Sequence, residues 1–154
     1  MSGAATQGAA GCALCRDDGG ELVWRAGALR VVLADEPRFA GFTRVIWQAH
    51  VREMTDLDDA GRAALMQAVW TVEVVMRQVL APDKVNLASL GNAVPHLHWH
   101  VVPRWADDDA FPGSPWSVAR TDSAAQAAAR ARIDATRVLL PRYRAALADA
   151  LQAR

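Results

Sequence analysis

The decapeptide Pro95-His96-Leu97-His98-Trp99-His100-Val101-Val102-Pro103-Arg104 carries three imidazoles at alternate positions of an apolar run. Side chains alternate faces along a strand, so this spacing predicts His96, His98 and His100 on one side and Leu97, Trp99 and Val101 on the other. Every buried ring nitrogen needs a partner, which makes three imidazoles in a row a poor way to stabilise a core and points to chemistry instead. Two chemistries fit the pattern. A neutral imidazole is nucleophilic near neutral pH, and its neighbours can donate hydrogen bonds or protons to phosphate oxygens and a leaving group. Alternatively, His-x-His on a strand supplies two ligands to zinc or iron, with a carboxylate or a third His completing a metal-dependent hydrolase or oxygenase site. The chain has four His and two Cys in all. Both cysteines lie in Cys12-Ala13-Leu14-Cys15, a thiol pair in search of a partner.

The elements that must hold these residues are legible in the apolar pattern. Glu21 to Arg25 and Leu29 to Leu33 are β-prone runs separated by Ala26-Gly27-Ala28, which predicts a hairpin. Asp35-Glu36-Pro37 breaks the pattern, and Phe42 to Trp47 reads as a third strand running toward His50. From Leu57 to Leu80 apolar residues recur at three- and four-residue steps, the period of a helix with one buried face. Thr55 or Asp56 is its expected N-cap, Asp58 and Asp59 suit the positive end of its dipole, and Pro82 ends it. Val85 to Leu90 alternates as a strand, Gly91-Asn92 signals a turn, and His96 to Val102 is the next strand. An irregular stretch follows, then an Ala/Arg-rich helix from Ser123 to Ala153, which Pro141 should split or kink at a cost of about 3 kcal/mol. Short links between the first strands favour antiparallel pairing, so the fold class is α+β: an antiparallel sheet of about five strands, one main helix packed on it, and an additional C-terminal helix.

Composition narrows the functions. At 154 residues the chain suits one domain, with 17 basic against 17 acidic residues and no net charge. Neutrality removes any general pull toward nucleic acid or anionic membrane, so an anionic substrate must be held by local groups. The most apolar stretch, Ala63 to Ala81, is interrupted by Gln67, Glu73, Arg77 and Gln78 and does not read as a membrane span. Met1 to Gly11 lacks a basic and an apolar region and reads as a disordered tail. The expected compartment is therefore the cytoplasm, where thiols stay reduced and a Cys12–Cys15 disulfide is disfavoured.

As an ordered set, these residues resemble the histidine triad (HIT) family of nucleotide hydrolases and transferases. His96-x-His98-x-His100 is similar to the family signature, Gly91-Asn92-x-Val94-x-His96 to its approach and Val101-Val102-Pro103-Arg104 to its exit. Upstream, Gly41-Phe42-x-x-Val45-Ile46-Trp47-x-x-His50 resembles a second family block, and Asp35-x-Pro37 and Cys12-x-x-Cys15 fall where bacterial members carry them. The likeness spans Cys12 to Arg104, which sets an expected HIT domain at 12–104 followed by a C-terminal segment and helix at 105–154.

The resemblance implies a hydrolase acting on a purine nucleotide conjugate, such as a dinucleoside polyphosphate or a phosphoramidate. His98 is then the nucleophile that forms a nucleotidyl-histidine, His100 the group contacting phosphate or leaving group, and His96 an orienting or metal-binding residue. Activity should fall as His98 becomes protonated, because imidazolium cannot attack phosphorus. Asn92 and Asn86 are candidate donors to the phosphate, and Asp35 resembles the residue that holds ribose hydroxyls. The chemistry needs no cofactor; Cys12, Cys15, His50 and His96 match a structural zinc site found in bacterial members. Two positions depart from the pattern: Phe42 stands where the family often has a relay histidine, and Trp47 where it has proline. His100 is retained where the transferase branch has glutamine, which favours hydrolysis. A homodimer is implied by the same likeness, and Trp116 is a candidate cover for a base. A zinc-stabilised nucleotide binder with little turnover is the alternative that the Phe42 substitution keeps open.

Overall fold

Val31, Val45, Leu97 and Val101 are buried in one apolar cluster, whereas Val32 and Ile46 belong to a second, so adjacent strand residues serve opposite faces of one sheet. The computed structural model describes residue 9 and residues 11–154; the tail expected over residues 1–11 otherwise lies outside the described residues. Five strands, β1 (Glu21–Ala26), β2 (Leu29–Leu33), β3 (Thr43–Trp47), β4 (Lys84–Ala88) and β5 (His98–Arg104), form one antiparallel sheet in the order β1-β2-β3-β5-β4. The predicted α+β class and strand number hold. Gly27, at φ +54°, supplies the left-handed turn that closes the first hairpin.

Helix α1 is a single turn at Ala13–Arg16, α2 spans Asp59–Val79 and α3 spans Ser123–Gln152. The main core lies between one sheet face and the buried sides of α2 and α3, with Leu65, Val69, Val72 and Met76 from the former and Tyr143, Leu147 and Leu151 from the latter. Tyr143 is fully buried and its hydroxyl lies 2.9 Å from Thr43 Oγ1, which fixes α3 to β3 and gives each polar group a partner. The opposite sheet face carries the histidines and is bordered by α1, the 34–42 connection and the 105–121 segment.

Four local expectations are corrected. The N-cap of α2 is Asp58, whose carboxylate accepts from the Gly61 amide at 2.7 Å, while Thr55 and Asp56 belong to a preceding 3-10 turn. Helix α3 runs unbroken past Pro141. Proline removes the amide that would bond to the Arg137 carbonyl, but both residues are on the exposed side, while Tyr143, Leu147 and Leu151 hold the buried side. Strand β4 stops at Ala88, where Ser89 turns its hydroxyl to the His98 carbonyl at 2.9 Å. Finally, β5 starts at His98: the His96 amide bonds instead to the Val94 carbonyl at 2.8 Å, so the chain is still turning where the alternation predicted a strand. Among the described residues, no helix is long and apolar enough to cross a membrane.

Candidate functional site

The turn at His96 divides the imidazoles into two groups. His96 Nε2 donates to the Trp47 carbonyl at 2.6 Å; a carbonyl only accepts, so the proton sits on Nε2 and Nδ1 keeps its lone pair. That lone pair faces Cys12 Sγ at 3.3 Å and Cys15 Sγ at 3.5 Å, and Cys15 Sγ lies 3.4 Å from His50 Nδ1. One ligand atom from each of Cys12, Cys15, His50 and His96 falls within 4.8 Å of all the others. Zinc bonds of about 2.3 Å to sulfur and 2.0–2.1 Å to nitrogen would separate tetrahedral S and N ligands by about 3.6 Å, so the four residues fit a closed, structural zinc site. Arg30 reinforces the same corner: buried on β2, it donates to the Leu14 carbonyl at 2.6 Å and the Asp18 carbonyl at 3.1 Å.

His98 and His100 form the second group, their rings edge to face with centroids 4.7 Å apart. His98 Nδ1 donates to the main-chain carbonyl of His96 at 2.6 Å, which leaves the lone pair on Nε2. Burial lowers the His98 pKa, the hydrogen bond to His96 opposes it, and Arg44 adds to the lowering. His100 is pushed down to about 4 by burial, then by His98 and Arg44, so it is neutral at pH 7. The Phe42 ring stands edge-on to His100 at 5.4 Å and the Trp116 ring at 5.3 Å. Phenylalanine offers no acceptor, and His100 Nδ1 has no hydrogen-bond partner among the described residues.

A polar network borders this pair. Arg104 pairs with Asp108 through Nε at 2.8 Å and Nη2 at 3.0 Å, and gives Nη1 to Asn86 Oδ1 at 2.7 Å. Arginine only donates, so the Asn86 oxygen is consumed and its NH2 is left for another acceptor. Burial would raise the Asp108 carboxyl, but Arg104 and the amides of Ala110 and Phe111 hold it below its ordinary value. Arg44 shares the face as well, since its register partner on β5 is His100.

The residues expected from sequence are thus only partly gathered. His98 and His100 adjoin, with Asn86 two residues along β4 from Ala88, the register partner of His100. Cys12, Cys15, His50 and His96 meet in a separate corner. Asn92 is exposed in the loop before His96. Asp35 is exposed and lines a cavity of about 350 Å³ with Gly41, Arg137 and Leu140 rather than with histidines; its carboxylate accepts no hydrogen bond among the described residues. Sequence reasoning passed over Arg44, Arg104 and Asp108. Arg44 was findable: it lies two residues from Ile46 and Phe42 on β3, so strand alternation alone puts it on the histidine face.

A sheet of this topology with His98 and His100 at the start of β5 and His96 in the turn just before it defines a histidine triad fold. The family model described as HIT domain matches residues 20–107, and the chain belongs to this family. It is 33% identical over 101 residues to AP-4-A phosphorylase of Mycobacterium tuberculosis, an alignment covering 62% of this chain and 52% of that protein. The chain therefore spans about half the length of that curated relative. Among solved structures, a zinc-bound histidine triad family protein from Mycobacterium smegmatis is 27% identical, with a TM-score of 0.57 over 94% of this chain and 98% of that one. A histidine triad protein from Bradyrhizobium japonicum, 24% identical with a TM-score of 0.61, covers 79% of this chain and 91% of its own and attests the fold.

Proposed function

We propose that the protein cleaves a purine nucleotide conjugate at its α-phosphate through a nucleotidyl-His98 intermediate. One observation carries the reading: the 2.6 Å hydrogen bond from His98 Nδ1 to the His96 carbonyl, which directs the lone pair to Nε2. In the first step Nε2 bonds to the α-phosphorus while the bond from phosphorus to the leaving oxygen breaks, its electrons departing with that oxygen. The His96 carbonyl keeps the Nδ1 proton and stabilises the positive charge the ring acquires. Water then bonds to phosphorus as the phosphorus–nitrogen bond breaks, releasing a proton and the nucleotide.

The rest of the site supports supporting roles for named groups. The free NH2 of Asn86 is suited to a phosphate oxygen, Asn92 and the amides after Gly91 to a neighbouring one, and the unpartnered Asp35 carboxylate to ribose hydroxyls. His100, neutral at pH 7, suits hydrogen bonding to phosphate more than full proton donation. A polyphosphate leaves as a stable anion whereas an amine must be protonated, so this favours a dinucleoside polyphosphate over a phosphoramidate. Cys12, Cys15, His50 and His96 would hold a zinc whose contribution is to tie α1 to the sheet. No step of the chemistry passes through it.

A second reading changes only the acceptor. The relative named AP-4-A phosphorylase suggests that inorganic phosphate, rather than water, resolves the intermediate. Diadenosine tetraphosphate separates the two: water yields AMP and ATP, phosphate yields ADP and ATP. Reactions with labelled substrate denatured under alkaline conditions, where a phosphorus–nitrogen bond survives, should trap one nucleotidyl group per chain on His98, and His98→Asn should lower turnover at least about 1,000-fold, the scale set by losing a covalent nucleophile. Label on any other residue, or undiminished turnover in His98→Asn, sinks the mechanism.

We also assign the exposed Trp70 and Val74 of α2 and Leu87 of β4 to an interface with a second copy of the chain. Glu73 lines a cavity of about 490 Å³ with Lys84 to Ala88, so this side of α2 and the β4 edge form one continuous surface. An open strand edge beside an apolar helix face is suited to pairing with its own copy.

A further inference from the structure

Three arginines rise from the histidine face of the sheet, and two of them each give three side-chain hydrogen bonds among the described residues. Arg104 is paired with Asp108, and Arg30 is spent on main-chain carbonyls around α1. Arg44 is different. Among the described residues its side chain makes one hydrogen bond, from Nη1 to the Gly19 carbonyl at 2.8 Å, although a guanidinium has five N–H donors. Its Nε is buried without a partner, and among the described residues no carboxylate lies within ion-pair distance of it. A half-buried guanidinium in this state is poorly compensated, since a charge removed from water needs both an opposite charge and hydrogen-bond acceptors.

The surroundings indicate what is missing. Arg44 is the register partner of His100 on β5, its guanidinium carbon lies 5.8 Å from the Phe42 ring centroid, and that ring touches His100. His100 is disfavoured as a cation and does not compete for an anion, and the chain as a whole carries no net charge to attract one. Arginine presents a planar fork that matches phosphate oxygens and stays charged at any working pH.

We propose that Arg44 is the anion anchor of the site, binding a non-reacting phosphate oxygen of the substrate while His98 faces the phosphorus. The inference rests on the reading of the site as a nucleotide site and adds the residue that supplies its positive charge. It also accounts for the free donors of Arg44, which bound phosphate would occupy.

The test measures dissociation constants of AMP, adenosine and inorganic pyrophosphate for the wild-type protein, Arg44→Met and Arg44→Lys. Losing a hydrogen bond to a charged group should weaken AMP and pyrophosphate binding by about ten-fold or more in Arg44→Met, with partial recovery in Arg44→Lys. Adenosine, which lacks the anion, should change less than about two-fold, because Arg44 gives it no charge-assisted bond. Equal losses for AMP and adenosine would mean that Arg44 shapes the pocket or reads the base, and overturn the proposal, as would unchanged AMP binding in Arg44→Met. Arg44-dependent pyrophosphate binding without AMP binding in the wild type would keep the anion anchor and discard the nucleotide reading. Failure of the wild type to bind either anion would overturn both.

Discussion

His96 serves two sites with different atoms: its Nδ1 faces the thiols, and its carbonyl receives the His98 proton. A rotation of this residue would disturb both. His100 shows the cost of burying an imidazole beside a guanidinium, with a pKa pushed down to about 4 against an ordinary value near 6.5. Because the unfolded chain binds this proton more readily, the unfolded state gains protons first as pH falls. Stability is intact above about pH 6.5, declines through the window down to about 4, and is level below it with respect to this group, a total on the order of 3 kcal/mol. Urea unfolding across this window should therefore be steeper in pH for the wild type than for His100→Asn, and parallel curves would refute the assignment. The residue types for this chemistry were readable from alternation, but which nitrogen bears each proton was not. Tautomers depend on the Trp47 and His96 carbonyls, whose orientations arise only in the folded backbone.

At the scale of elements, strand number and helix positions follow from apolar period, while the sheet order and the ends of the elements do not. Asp58 wins the N-cap of α2 over Thr55 and Asp56 because those two are consumed in the preceding 3-10 turn. Pro141 is harmless because it falls on the side of α3 facing water, a fact of helix phase that propensity ignores. Helix α1 is a single turn, too short to persist alone, and depends on the corner formed with His50 and His96. Purified protein should contain one zinc per chain. In Cys15→Ala the metal content should fall to zero and Tm by about 5–10 °C, the shift expected for a loss of roughly 2–3 kcal/mol in a domain of this size. Residual turnover below that Tm should survive, in contrast to His98→Asn. Full zinc occupancy in Cys15→Ala would remove Cys15 from the ligand set.

For the whole molecule, the unresolved demand is the apolar surface outside the core. Trp70 is 52% exposed and Val74 49%, side by side on α2 and next to the β4 edge. Light scattering after gel filtration should give a dimer for the wild type and a monomer for Trp70→Glu, since an isologous interface repeats every added charge on both sides. An unchanged mass for Trp70→Glu would place the interface elsewhere. The role of the C-terminal helix was not legible from its sequence, because an amphipathic stripe does not name its partner; Tyr143, Leu147 and Leu151 answer by joining the same core as α2.

The metal corner also has a place in time. Cys12 and His96 are 84 residues apart, so a chain emerging from the ribosome exposes its thiol pair long before the last ligand is made. His50 can join them earlier, but three ligands leave the tetrahedron open. Closing a four-ligand metal site here would consequently be a late event, and it would coincide with delivery of the strand that bears His98: the act that completes the corner also brings that imidazole to the sheet.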